Sequence, residues 1–69
     1  MNSFIGRVVF VVHGDNSSRV LIETKNPQYP RVIVKCKRDV ADRFQRQVWV
    51  PMFLDNGKPA PIFPEPSLN

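Results

Sequence analysis

The chain has too few cysteines and histidines for covalent or metal cross-links. Its 69 residues include one cysteine, Cys36, and one histidine, so an intrachain disulfide and a structural zinc site of the usual Cys/His type are both excluded. A domain this short buries only about 60% of its unfolded surface and is marginal on its own. Such domains often gain stability by association, and we expect a homodimer.

Long hydrophobic runs are also missing. The apolar run 8–12 is far shorter than the roughly 20 residues of a membrane-spanning helix. The first seven residues lack the basic region that opens a secretory signal. A lone thiol suits a reducing compartment. We therefore expect a soluble, cytoplasmic protein without a membrane partner.

Patterns typical of enzymes are absent as well. The sequence has no Gly-rich phosphate loop, no paired carboxylates and no metal-ligand spacing. His13, Asp15, Ser17 and Ser18 do occur together, but in one six-residue loop. A catalytic triad needs its members brought together from separate rigid elements, beside an oxyanion hole. We predict a non-enzymatic protein with no cofactor and no metal.

Positive charge is present in excess and is unevenly distributed. The net charge is +4, and six of the ten Lys and Arg residues lie within residues 31–46. Clustered cations are the electrostatic pattern expected of a nucleic-acid-binding protein, although binders of membranes and of acidic proteins share it.

Apolar and basic residues alternate in residues 31–37. Because the side chains of a strand point alternately to its two faces, one face of this segment enters a core and the other presents a row of cations. The row either follows a phosphate backbone or is an ordinary solvated face. Its cations are Arg31, Lys35 and Lys37, and the apolar face consists of Val32, Val34 and Cys36.

Four apolar runs separated by turn-forming residues predict the fold. We expect strands over 4–12, 19–25, 31–37 and 47–54, with apolar burial on both faces of the first. Residues 38–46 form either one short helix, with Asp39 as its candidate cap, or a wide loop. Asn56-Gly57 predicts a tight hairpin turn. The pattern favours an all-β, mainly antiparallel fold: a small five-stranded OB-like barrel with at most one short helix, or alternatively an SH3-like barrel. Residues 1–58 would form this domain, and residues 59–69 a proline-rich extended tail.

Aromatic residues accompany the basic segment and suggest a binding surface. Proteins that bind single strands combine a cationic groove with aromatic platforms, each stacked base contributing about 1–3 kcal/mol. A chain with only seven aromatics also needs them for its core, so both roles stay open for Trp49 and Phe53. The predicted nucleic-acid-binding residues are Arg7, Tyr29, Arg31, Lys35, Lys37, Arg46, Trp49 and Phe53.

Two segments of the second half resemble the single-stranded DNA-binding proteins of filamentous phages. They are Tyr29-Pro30 entering the Val/Lys strand, and Asp55-Asn56-Gly57-Lys58-Pro59. The resemblance implies an OB-fold homodimer that coats single strands cooperatively, here in the cytoplasm of a bacterial host. The chain departs from the family in being shorter, in lacking a long basic Gly/Ser-rich hairpin, and in ending on a proline tract rather than a closing strand.

The expected function is therefore non-enzymatic binding of single-stranded DNA or RNA. A different class remains open: a small interaction module, inhibitor or accessory factor that docks on a host or phage protein. It would use its sheet edge or its proline-rich tail, through Ile62 and Phe63. Binding of double-stranded DNA by a β-ribbon is a third possibility.

Overall fold

The computed structural model describes residues 3–64, which form five strands and one helix. The four predicted strands and the predicted helix are present with ends shifted by at most two residues, and a fifth strand follows the Asn-Gly turn. The elements are β1 (Ser3–His13), β2 (Ser18–Thr24), β3 (Arg31–Cys36), α1 (Arg38–Gln45), β4 (Trp49–Asp55) and β5 (Lys58–Pro61).

The strands form one antiparallel sheet in the order β3-β2-β1-β4-β5. Strands β1 to β3 follow each other through hairpins, and β4 returns after α1 to lie beside β1, which is Greek-key topology. β3 and β5 approach each other and nearly close the sheet into a barrel. A partly open five-stranded Greek-key barrel is the OB-like fold that the sequence predicts.

The core lies inside this barrel, and α1 contributes its largest side chain. Alternation places Val32 and Val34 of β3 in the core while Arg31 and Lys35 are exposed, as predicted. Phe44 of α1 is fully buried against them. The remaining buried apolar residues are Val20, Ile22, Ala41, Val50 and Met52.

Gly6 of β1 lies between β2 and β4 where no space is left for a side chain, and we expect Gly6→Ala to destabilise the fold. A Cβ at this position would overlap Ile22 Cγ2 and lie 2.7 Å from Met52 Sδ. Adding a methyl group to a packed core costs about 1–3 kcal/mol, and the variant should lose that much in urea denaturation followed by circular dichroism. An unchanged midpoint would show that the barrel has room at this position.

A β-bulge in β1 overturns one sequence prediction. We expected β1 to be buried on both faces, but Val9, Phe10 and Val12 are exposed. The pairing register with β2 shifts between Val8 and Phe10, so Val9 is an extra residue in the ladder. The shift reverses the alternation, and Phe10, which would otherwise follow Val8 into the core, points outward.

The turn between β4 and β5 confirms the Asn-Gly prediction. Asn56 and Gly57 have φ values of 52° and 77°, the positive values that a two-residue hairpin turn of this kind requires. β5 begins at Lys58 directly after it. The predicted domain boundary after residue 58 therefore lies inside β5. The proline-rich tail, which was expected in place of a closing strand, contains part of β5.

The prolines of β5 are compatible with this strand because of where its bonds to β4 fall. Ile62 donates its N–H to the Pro51 carbonyl at 2.9 Å. In an antiparallel ladder, hydrogen-bonded and non-hydrogen-bonded pairs alternate, so Pro59 and Pro61 occupy positions where β4 needs no donor. Without N–H groups they also offer β3 no hydrogen-bond donors.

Helix α1 begins differently from the prediction. Its N-cap is Lys37, without a side-chain hydrogen bond, so the expected Asp39 cap is wrong. Asp39 lies in the first turn and pairs with Arg43 at 3.6 Å. Asp42, the other acidic residue of the helix, contacts His13.

Candidate nucleic-acid interface

The solvent side of strands β1 to β3 forms a surface that we call the outer face. Cross-strand pairing arranges its side chains in three rows that run across the strands. The first row is Arg7, Glu23 and Arg31, with Trp49 of β4 beside Arg7; the second is Phe10, Leu21 and Ile33; the third is Val12, Arg19 and Lys35.

The middle row is apolar and open to solvent. Phe10 is 50% exposed and Ile33 is 67% exposed, and Leu21 lies between them. Isolated exposed apolar residues are ordinary, but a contiguous patch of them marks a binding surface more often than not. Here the patch continues through Val12 into the third row.

The third row places two cations directly opposite each other. Arg19 pairs with Lys35 across β2 and β3, and both are exposed. Like charges at directly opposed positions destabilise a sheet, because the Cβ atoms lie about 4.5–5.5 Å apart. Within residues 3–64 neither cation forms an ion pair. A bound anion would relieve this repulsion.

The first row lines a groove of about 760 Å³. Arg7 is paired with Trp49 on one side and with Glu23 on the other, and Arg31 follows Glu23 on β3. Arg7 Nη2 lies 3.7 Å from Glu23 Oε1. Both side chains are about half exposed, so this ion pair is loose and contributes little to stability.

Trp49 and Phe53 both lie on the outward side of β4, but they differ in how much of the ring is exposed. Trp49 is 58% exposed and contributes to the wall of the groove. Phe53 is half-buried between Ser3 of β1 and Ala60 of β5. Of the two aromatics left open by the sequence, Trp49 is therefore the one with a free ring surface.

The other predicted binding residues divide between the outer face and the ends of other elements. Arg7, Arg31 and Lys35 lie on the outer face. Lys37 and Arg46 are exposed caps at the two ends of α1.

Tyr29 has a structural contact instead of a free ring. Its hydroxyl donates to the Gly57 carbonyl at 2.7 Å, and its ring packs on the core. The residue therefore ties the β2–β3 loop to the β4–β5 turn.

His13 at the end of β1 and Ser18 at the start of β2 meet an aspartate from α1. His13 Nδ1 lies 2.6 Å from Ser18 Oγ, and His13 Nε2 lies 3.2 Å from Asp42 Oδ1. This order resembles a catalytic triad, but Ser18 is 1% exposed, so its oxygen has no access to a substrate carbonyl. The contacts hold β1, β2 and α1 together.

Cys36 behaves as a core thiol. It is partly buried and packs against the core, as the alternation of β3 predicts. Burial, and to a smaller extent the Asp39 carboxylate, raise the pKa of its thiol. The reactive thiolate is therefore disfavoured.

Sequence reasoning missed Phe10, Arg19, Leu21 and Ile33 as members of this surface. In the sequence, Ile33 only interrupts the basic row of residues 31–37, and the expected burial of both faces of the first strand would place Phe10 in the core. The sequence signal for Arg19 and Leu21 was the alternation of β2, which places them on the opposite face of the strand from Val20 and Ile22. Their relation to Lys35 and Ile33 depends on the register, which the sequence does not display.

No family model, curated protein or solved structure matches this chain. Over residues 3–64, no helix is both long and apolar enough to cross a membrane. The same part of the chain contains no group of three or more His, Cys, Asp and Glu residues placed to hold a metal ion.

Proposed function

We propose that this protein binds single-stranded DNA or RNA along the outer face of its barrel, without catalysing a reaction. One observation carries the proposal: exposed apolar and aromatic side chains are interleaved in register with cations across three strands. On OB folds, strands 2 and 3 form the face that binds oligonucleotides.

Each row supplies one of the interactions that a single strand needs. Arg19 and Lys35 are positioned to share a phosphate, which relieves their mutual repulsion. Phe10 and Trp49 offer exposed ring surfaces on which bases stack, and every base has a π face. Along β2, the four residue-to-residue steps from Arg19 to Glu23 span about 13 Å, so the face accommodates several consecutive nucleotides.

Titration of the intrinsic Trp49 fluorescence with a twelve-nucleotide oligo-dT at two salt concentrations tests this proposal. We expect quenching at low salt, because a base stacks on the indole. The logarithm of the binding constant should fall with the logarithm of salt concentration, with a slope of about −0.7 per phosphate contacted. Absence of quenching at low salt would contradict base stacking. Quenching that does not depend on salt concentration would contradict the role of the cations.

Repeating this titration with a Lys35→Ala variant tests the contribution of one cation of the outer face. Removing one phosphate contact should make the slope shallower by about 0.7. Lys58→Ala is the matched control, because Lys58 is an exposed cation at the start of β5 and lies away from the outer face. An equal change in both variants would mean that net charge alone attracts the strand.

A rival proposal is a protein-docking site around Ile62 and Phe63, since both side chains are about half exposed. Phe63 is partly engaged, because its ring packs edge-on against Phe44 at 5.5 Å between centroids. A truncation after Pro61 preserves all five strands and separates the two proposals. Loss of partner capture with intact oligonucleotide binding favours docking, and the reverse favours the outer face.

We also infer that two copies associate, which follows from the short chain and from its exposed apolar side chains. Sedimentation of the free protein should give twice the 8.0 kDa mass of one chain. A monomer at all concentrations would contradict it.

A further inference from the structure

We propose that Glu23 makes the groove beside Trp49 a base-reading site, which prefers cytosine, adenine or guanine to thymine or uracil. This inference rests on the proposed function and names the chemistry that one part of the outer face selects. It requires a base stacked on Trp49 whose edge reaches the Glu23 carboxylate.

The groove has the size and composition of a small-molecule site. Its volume of about 760 Å³ falls within the range of about 300–1,000 Å³ typical of ligand pockets. Ile5, Pro30 and Trp49 give it apolar walls, and a few polar groups converge on it. Glu23 is two strands away from Trp49, at about 10 Å, with Arg7 on the strand between them.

A carboxylate such as that of Glu23 is not expected on a surface whose only role is to bind phosphates. Glu23 is the one acidic member of the outer face, and it lies between Arg7 and Arg31 in the first row. A carboxylate at this position disfavours a phosphate directly beside it, although the groove as a whole is positive because Arg7, Lys25 and Arg31 also line it. A base edge has no such conflict when it carries hydrogen-bond donors.

The ion pair with Arg7 leaves hydrogen-bond acceptor positions of Glu23 free. Within residues 3–64 its ion-pair partner is Arg7, and the joined atoms are 3.7 Å apart. An ionised carboxylate has two oxygens and about four acceptor positions, so acceptor positions remain free toward the groove.

A carboxylate accepts hydrogen bonds and donates none, which gives the site its selectivity. Cytosine N4, adenine N6 and guanine N2 all carry amino donors, while thymine has a single edge donor, N3–H, that is flanked by the O4 and O2 carbonyls. Hydrogen bonds to an ionised acceptor are stronger than neutral ones. The carboxylate therefore attracts amino-bearing bases and repels the carbonyl edge of thymine or uracil.

Fluorescence anisotropy with labelled twelve-nucleotide oligo-dC and oligo-dT tests the proposal. The protein should bind oligo-dC about five- to tenfold more tightly than oligo-dT, the ratio that one good polar contact to a base edge produces. Glu23→Gln should bring this ratio close to one, because the amide also donates and accommodates the thymine carbonyl.

Asp15→Asn is the matched control for charge. Asp15 is exposed in the β1–β2 loop, outside the groove, and its replacement changes the net charge by the same amount as Glu23→Gln. Asp15→Asn should bind both oligonucleotides somewhat more tightly at an unchanged ratio, whereas Glu23→Gln should gain affinity for oligo-dT relative to oligo-dC.

The outcomes separate this inference from the function on which it rests. Equal binding of both oligonucleotides by the wild type, or an unchanged ratio in Glu23→Gln, overturns the base-reading site and leaves single-strand binding intact. Failure to bind either oligonucleotide at low salt overturns both.

Discussion

Replacing Phe10 and Trp49 together with alanine should weaken oligo-dT binding by more than about thirtyfold while leaving the fold intact. Each stacked base contributes about 1–3 kcal/mol, so loss of two platforms removes about 2–6 kcal/mol. Both rings are at least half exposed, so their removal leaves no cavity in the core. Anisotropy with labelled oligo-dT gives the affinity, and the thermal midpoint reports on the fold.

Two control variants identify the kind of contact that is lost. A Phe10→Tyr, Trp49→Tyr double variant keeps an aromatic ring at both positions and should bind within a few-fold of the wild type. A Phe10→Leu, Trp49→Leu variant keeps apolar area but has no π face, and should bind nearly as weakly as the alanine variant. Wild-type affinity in the leucine variant would show that these side chains serve an apolar contact, such as a dimer interface, instead of stacking.

Phe44→Ala should leave the protein largely unfolded. Phe44 is fully buried and is the largest side chain in the core. Truncation of a buried phenylalanine costs about 3–5 kcal/mol. A domain of this size has only about 3–10 kcal/mol of stability in total. In a domain this small each kcal/mol corresponds to about 4–8 °C, so the midpoint should fall by more than about 12 °C.

Phe63→Ala is the comparison for this experiment. Phe63 packs edge-on against Phe44 but is half exposed. Loss of an aromatic pair removes about 0.5–1.5 kcal/mol, so its midpoint should fall much less. Similar midpoints for the two variants would contradict the position of Phe44 as the side chain that α1 inserts into the barrel.

The sequence predicts those parts of the fold that depend on local alternation and turn chemistry. The period of two in residues 31–37 places Arg31 and Lys35 outside and Val32 and Val34 inside, as observed. Asn56-Gly57 forms the expected hairpin turn because both residues tolerate positive φ.

The sequence does not reveal the features that depend on pairing between distant segments. The bulge at Val9 is an irregularity of the β1 ladder, and no residue type marks it. Phe10 is therefore exposed, although burial was expected for both faces of this strand. The opposition of Arg19 and Lys35 follows from the register between β2 and β3. The contact of His13 with Asp42 requires α1 to pack beside the barrel, across 29 positions of sequence.

Mapping of amide shifts by nuclear magnetic resonance, during titration with oligo-dT at low salt, tests the central claim most directly. The largest changes should occur along β1 to β3, at Arg7, Phe10, Leu21 and Ile33, and at the Trp49 indole. Changes confined to α1 or to residues 62–63, or no changes at saturating oligonucleotide, would contradict the outer face as the surface that binds single strands.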